Sequence, residues 1–143
     1  MRDGWYNDEY WSLCEDQSEA EKLTASYVLG EYIPGYFIVG LKGWDDFILT
    51  NSEGCYFLVP TVPLELESLS PFTFPAESLR LEPDERFSGK FKWYVKPLRF
   101  GGSPSEKKNM VWLSQGEHVR VVMWWNTFYR ETLSKRQKTS VKE

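Results

Sequence analysis

The side chains that ordinarily carry chemistry are few in this chain and poorly spaced for it. The single histidine, His118, follows what reads as a helix start, and no Ser-His-Asp or Cys-His arrangement can be assembled around it. It is expected as a surface or half-buried helix residue. Cys14 and Cys55 lie far apart without metal-ligand spacing. Cys14 is expected on a helix and Cys55 at a strand start, both as small buried hydrophobes. There is no H-E-x-x-H, no C-x-x-C and no P-loop, and Gly101-Gly102-Ser103 lacks the Lys-Ser/Thr end of a phosphate cradle. That leaves carboxylates. Asp45, Asp46 and Glu53 flank short apolar runs, and converging loops would bring them together. Acid–base work needs two carboxyls at a defined separation, one with a raised pKa. The competing readings are solvated turn formers and an acidic, partner-facing patch with Trp44 beside it. No catalytic, cofactor or metal residue is assigned, and the chain is expected not to be an enzyme.

The elements that must position these residues centre on Glu31–Pro60. Tyr36–Leu41, Phe47–Thr50 and Tyr56–Val59 are aromatic and β-branched runs that suit a half-buried pleated surface. Pro34-Gly35 turns the chain into the first, and Lys42–Asp46 and Asn51–Gly54 separate the rest. Loops this short favour antiparallel neighbours. Before this cluster, Tyr6, Tyr10, Leu13 and Cys14 recur at helical spacing, predicting a helix over Asp3–Gln17, with a second over Ser18–Tyr27.

After it, Pro60, Pro63, Pro71 and Pro75 predict a meandering connection, with Leu64-Glu65-Leu66-Glu67 as a short edge strand. Glu82–Gly89 reads as a polar loop and Phe91–Val95 as a strand ended by Pro97. Arg99–Lys108 reads as an exposed turn, and Met110–Leu113 as a short apolar piece. Ser114 and Glu117 form an S-x-x-E capping box. The helix it opens presents Val119, Val122, Met123, Asn126, Tyr129 and Leu133 on one face. Asn126 on that apolar face must be hydrogen-bonded, and a backbone partner fixing the helix against the sheet is expected. Residues 1–133 then form one domain and 134–143 a polar, frayed tail.

The bulk numbers fit a single globular domain. Of 143 residues, 17% are aromatic, so a small core buries much surface per residue. A net charge of −4 excludes the basic face that nucleic-acid binding needs. No apolar run approaches a membrane span and no signal peptide is evident, which sets a cytosolic expectation.

Tyr32-Ile33-Pro34-Gly35-Tyr36-Phe37-Ile38-Val39-Gly40 resembles the proline-glycine turn and apolar strand of the SUKH superfamily, which groups yeast cell-wall-assembly regulators with bacterial immunity proteins of polymorphic-toxin systems. Tyr10-Trp11, on the expected N-terminal helix, is similar to the family's aromatic N-terminal helix. Pro97–Asn109, leading into Glu117-His118-Val119 and Trp125-Asn126, is similar to one bacterial branch. Lys42-Gly43-Trp44-Asp45-Asp46 keeps one glycine and the acids where many members have a glycine run. The resemblance implies a single α+β domain: a curved antiparallel sheet, helices packed on one side, and helices at both termini. It implies a cytoplasmic, non-enzymatic immunity protein, monomeric or weakly dimeric, that occludes the active site of a cognate toxin. Trp44, Asp45, Asp46 and Glu53 would face that partner, a basic nuclease-like effector, with acids steering and rings anchoring. Pro34, Gly35, Ser114, Glu117 and Asn126 would be structural. A regulatory or adaptor scaffold is the alternative, and a small-molecule-binding domain a third.

Overall fold

The computed structural model describes residues 1–75, 79–96, 100–103 and 105–141, with side chains described as far as residue 134. Pro97, expected to end a strand, lies outside them, as do Arg99 and Pro104 of the following turn.

The first element corrects an expectation. Instead of a helix over Asp3–Gln17, the chain forms an antiparallel hairpin of β1 (Arg2–Tyr6) and β2 (Glu9–Leu13). Asn7 and Asp8 take φ of 48° and 64°, the two left-handed positions of a tight hairpin turn, which Asn and Asp tolerate best after glycine. Tyr10, Trp11, Ser12 and Leu13 are all buried, so β2 shows no two-residue alternation and its aromatic spacing imitates a helix. Cys14, just beyond β2, is half-buried, and Cys55 is exposed in the turn before β5 (Tyr56–Pro60). Neither is the buried hydrophobe expected.

The second helix forms as α1 (Gln17–Ser26). Asp16 caps it, its Oδ1 accepting the Glu19 amide at 2.9 Å. A single turn, α2 (Leu29–Tyr32), follows. Pro34 and Gly35 then turn the chain, Gly35 at φ 90°, into β3 (Tyr36–Lys42). With β4 (Asp46–Asn51) and β5, the three expected strands are present to within a residue or two. β6 (Ser70–Phe72) completes a six-stranded antiparallel sheet ordered β1-β2-β3-β4-β5-β6.

The edge strand is displaced from its expected place. Leu64–Glu67 does not pair: Asn126 Oδ1 accepts the Leu64 amide at 2.7 Å, removing a ladder donor, and Leu66–Ser68 closes a 3-10 turn. Pairing moves to Ser70–Phe72, where Pro71 is tolerated because the strand is at the edge.

β7 (Phe91–Tyr94) and β8 (Met110–Leu113) form a separate two-stranded antiparallel sheet leading into α3 (Gln115–Val141). The capping box is made as expected: Ser114 Oγ accepts the Glu117 amide at 3.3 Å, and Glu117 Oε1 accepts the Ser114 amide at 2.9 Å. The backbone stays helical to Val141, so residues 134–141 are not a frayed tail.

Both faces of the main sheet are covered. On one, Ile38, Leu41, Phe47, Leu49 and Val59 meet Leu23 and Tyr27 near α1, Val122 of α3, and Phe91 and Trp93 of β7. On the other, Trp11, Leu13 and Ile48 pack with Leu79, flanked by half-buried Phe72, Phe74 and Leu81. Helices thus lie on the first face, and Phe72, Phe74, Leu79 and Leu81 close the second.

Candidate functional site

The three-residue turn between β3 and β4 carries most of the candidate residues. Gly43 and Trp44 sit at φ 65° and 64°. Glycine adopts that conformation freely, but a tryptophan there is strained by about 1 kcal/mol or more. Ring packing holds it in place. Trp44 stacks on Tyr10 with centroids 5.1 Å apart and meets Trp5, Phe87 and Trp112 edge-on at 5.2–6.1 Å. Trp44 Nε1 is buried with no hydrogen-bond partner among the described residues, while the Tyr10 hydroxyl faces the Asp3 carboxylate.

Carboxylates crowd the rim of this ring cluster. Glu9 is paired with Lys42 at 2.8 Å. Asp45 and Asp46 close no such pair among the described residues. Asp45 keeps an exposed edge, yet the protein beside it strips enough water to raise its carboxyl pKa; Glu9 adds to the rise and Lys92 opposes it. The Asp46 carboxyl is raised by burial first and by Asp45 second, against the pull of Lys42. Asp84 differs: the Arg86 guanidinium and the Trp5 indole N–H hold its carboxyl well below the usual range. The resulting surface is negative, backed by rings, and opens through half-exposed Trp112.

Glu53 does not belong to it. It lies in the turn after β4, at the far end of a six-residue strand, roughly 17 Å from Asp46. There Asn51 Oδ1 accepts the amides of Glu53 and Cys55 at 3.1 Å, and the Glu53 side chain is exposed. The three acids therefore do not converge, and Asp45 and Asp46 have no third carboxylate from that loop.

His118 is fully buried, correcting the half-exposed placement. Its Nδ1 lies 2.6 Å from Tyr27 Oη, and its ring stacks on Phe91 with Trp93 and Phe47 at its edges. Burial lowers its pKa to about 4, so the neutral ring is the resident form. Enclosed by aromatic core, it meets no solvent through which a substrate would reach it. Asn126 is the expected clamp: Oδ1 accepts from Leu64 N, while Nδ2 donates to Thr61 O and Val122 O at 2.9 Å. Asn109 does the same for the β7–β8 connection, binding Lys96 N, Lys96 O and Ser103 O.

A groove of about 530 Å³ runs between the start of α1 and the sheet, with Leu13, Phe37, Val39, Tyr56 and Phe74 as floor and Arg2, Glu15, Asp16 and Glu21 on its rim. Cys14 faces it, but burial pushes that thiol up to about 11, leaving it protonated and weakly nucleophilic. Among the described residues no group of three or more His, Cys, Asp and Glu is placed to hold a metal ion. No helix among them is long and apolar enough to cross a membrane.

Sequence reasoning found Trp44 and its two acids but missed Trp5, Tyr10, Phe87 and Trp112 around them. Glu9 was missed too. Only the Asn7-Asp8 pair signalled the hairpin that delivers Trp5, Glu9 and Tyr10. Compared with known proteins, the chain matches no family model, no curated protein and no solved structure.

Proposed function

We propose that the protein is a non-enzymatic binding protein of the immunity type, which neutralises a cognate toxin by covering its active site with the Trp44–Asp46 end of the sheet. The observation that carries this reading is the strained turn. A tryptophan in the left-handed region and a half-buried Asp46 carboxyl beside exposed Asp45 work against stability, and such features persist where a surface is kept for another purpose. Acids beside an aromatic base suit a basic enzyme surface: charge speeds encounter and selects the partner, while rings such as Trp112 supply the desolvated contact. The resemblance to immunity proteins of the SUKH superfamily supplies the toxin class, a basic nuclease-like effector, and a cytoplasmic setting.

The test is affinity capture from the source cell followed by titration of the captured enzyme. One enzyme is expected, inhibited stoichiometrically by the protein. Asp45→Lys with Asp46→Lys should weaken that inhibition at least 100-fold without lowering the unfolding midpoint. Capture of no such enzyme, or inhibition indifferent to the double substitution, overturns the reading.

A further inference from the structure

The outer face of α3 is apolar where a surface helix should be polar. Trp124 is 59% exposed and Phe128 is 40% exposed. They form an i, i+4 pair with parallel rings, centroids 5.5 Å apart and planes within 5°. Met123 and Thr127 complete the stripe, and Arg120 and Glu131 stand at its two ends around a shallow groove. Neither end residue closes an ion pair with another described residue. The opposite face of the helix, with His118, Val122 and Asn126, is buried in the fold. The stripe is therefore a second apolar surface on one helix, touched by Phe100 at the Phe128 ring and otherwise left exposed among the described residues.

The order of residues along the stripe says what covers it. Arg120 and Glu131 are eleven residues apart, three turns of helix, so they share one face at roughly 16 Å separation. Their midpoint falls between residues 125 and 126, and the midpoint of Trp124 and Phe128 falls on 126. A two-fold axis through that point, perpendicular to the helix, maps the stripe onto itself with the chain direction reversed. Arg120 of one copy then meets Glu131 of the other, twice, and Trp124 meets Phe128, twice. Such self-complementarity is the requirement of an isologous interface. Opposite charges at nearly equal distances on either side of the ring pair make the stripe complementary to its own reversed copy.

We infer that the outer face of α3 is a homodimer contact, in which two copies pair antiparallel through Trp124 and Phe128 and are held in register by reciprocal Arg120–Glu131 ion pairs. The proposal is independent of the toxin-binding reading, which uses the β3–β4 turn. A single-helix seam sits at the low end of specific interface areas, so the dimer is a weak one.

Sedimentation velocity of the full chain, from micromolar to about 1 mM, reads it directly. Wild type should pass from monomer to dimer across that range. Trp124→Ala with Phe128→Ala should stay monomeric with an unchanged far-ultraviolet spectrum. Arg120→Glu and Glu131→Arg should each raise the dissociation constant at least tenfold, because each creates two like-charge contacts. The double charge swap should restore it to near the wild-type value. A wild type that remains monomeric throughout overturns the inference. So does a dimer indifferent to the ring substitutions, or a double swap no better than the single variants.

Discussion

Beneath α3, the amide of Asn126 holds three backbone groups at 2.7–2.9 Å, and His118 meets Tyr27 through Nδ1 at 2.6 Å while its Nε2 has no partner among the described residues. At the turn between β3 and β4 buried polarity is handled otherwise. Trp44 Nε1 has no partner among the described residues, Trp44 is strained, and the carboxyl pKa values of Asp45 and Asp46 are raised. The difference separates two kinds of side chain that look alike in a sequence. Asn126 under the helix completes the fold, so removing it exposes the unmet needs of Leu64 and Thr61. Polar groups at the turn oppose the fold, so removing them should cost it little.

Three measurements press on that contrast. The largest effect belongs to Asn126→Ala, which orphans the Leu64 amide and the Thr61 carbonyl together. It should lower stability by roughly 3–5 kcal/mol in urea unfolding, with affinity for the proposed partner unchanged once folded. A loss below about 1 kcal/mol would mean water replaces the amide and the clamp is not one.

The second is the pH profile, where His118 and the Asp45–Asp46 pair carry opposite signs. His118 has a folded pKa of about 4 against 6.5 in the unfolded chain, so the unfolded state binds more protons between those values. Stability should fall as pH drops from 6.5 to 4, by about 3 kcal/mol from this group. The raised carboxyls of Asp45 and Asp46 bind protons more readily when folded, so their contribution grows as pH falls through their folded pKa values. Asp45→Asn with Asp46→Asn should therefore raise the neutral-pH midpoint and steepen the acid-side loss. His118→Asn should flatten that loss. Profiles unmoved by either change would remove the contrast.

Smallest is Ser114→Ala, which takes one half of the capping box and should cost about 1 kcal/mol. An unchanged thermal midpoint would place the start of α3 elsewhere.

What could be read in advance was local. β3, β4 and β5 show because proline, glycine and asparagine interrupt β-branched and aromatic runs at short intervals. The cap of α3 shows because both its partners lie within one turn. Asn126 stands out because a polar residue on an apolar stripe demands a partner. The hidden features are joined by distance in the chain. His118 looks solvated until Tyr27 and Phe91 are folded onto it. The rings around Trp44 come from β1, β2, the 82–89 loop and β8, and no spacing rule links those segments. The N-terminal hairpin was obscured because β2 is buried on both faces, which erases the alternation that marks a strand. The edge strand moved because a side chain 62 residues away takes the Leu64 amide.

The sheet is laid down in the order its strands are made: each of β1 to β6 pairs with the next, so that layer can assemble as the chain leaves the ribosome. The Asn126 amide belongs to α3, which is made after every strand of that sheet. Until it emerges, Thr61 and Leu64 have only water for company, and the nascent protein is a sheet lacking its bolt. Quality-control factors surveying translation would meet that unfinished form in every molecule, and a ribosome stalled before α3 would display it for as long as the stall lasted.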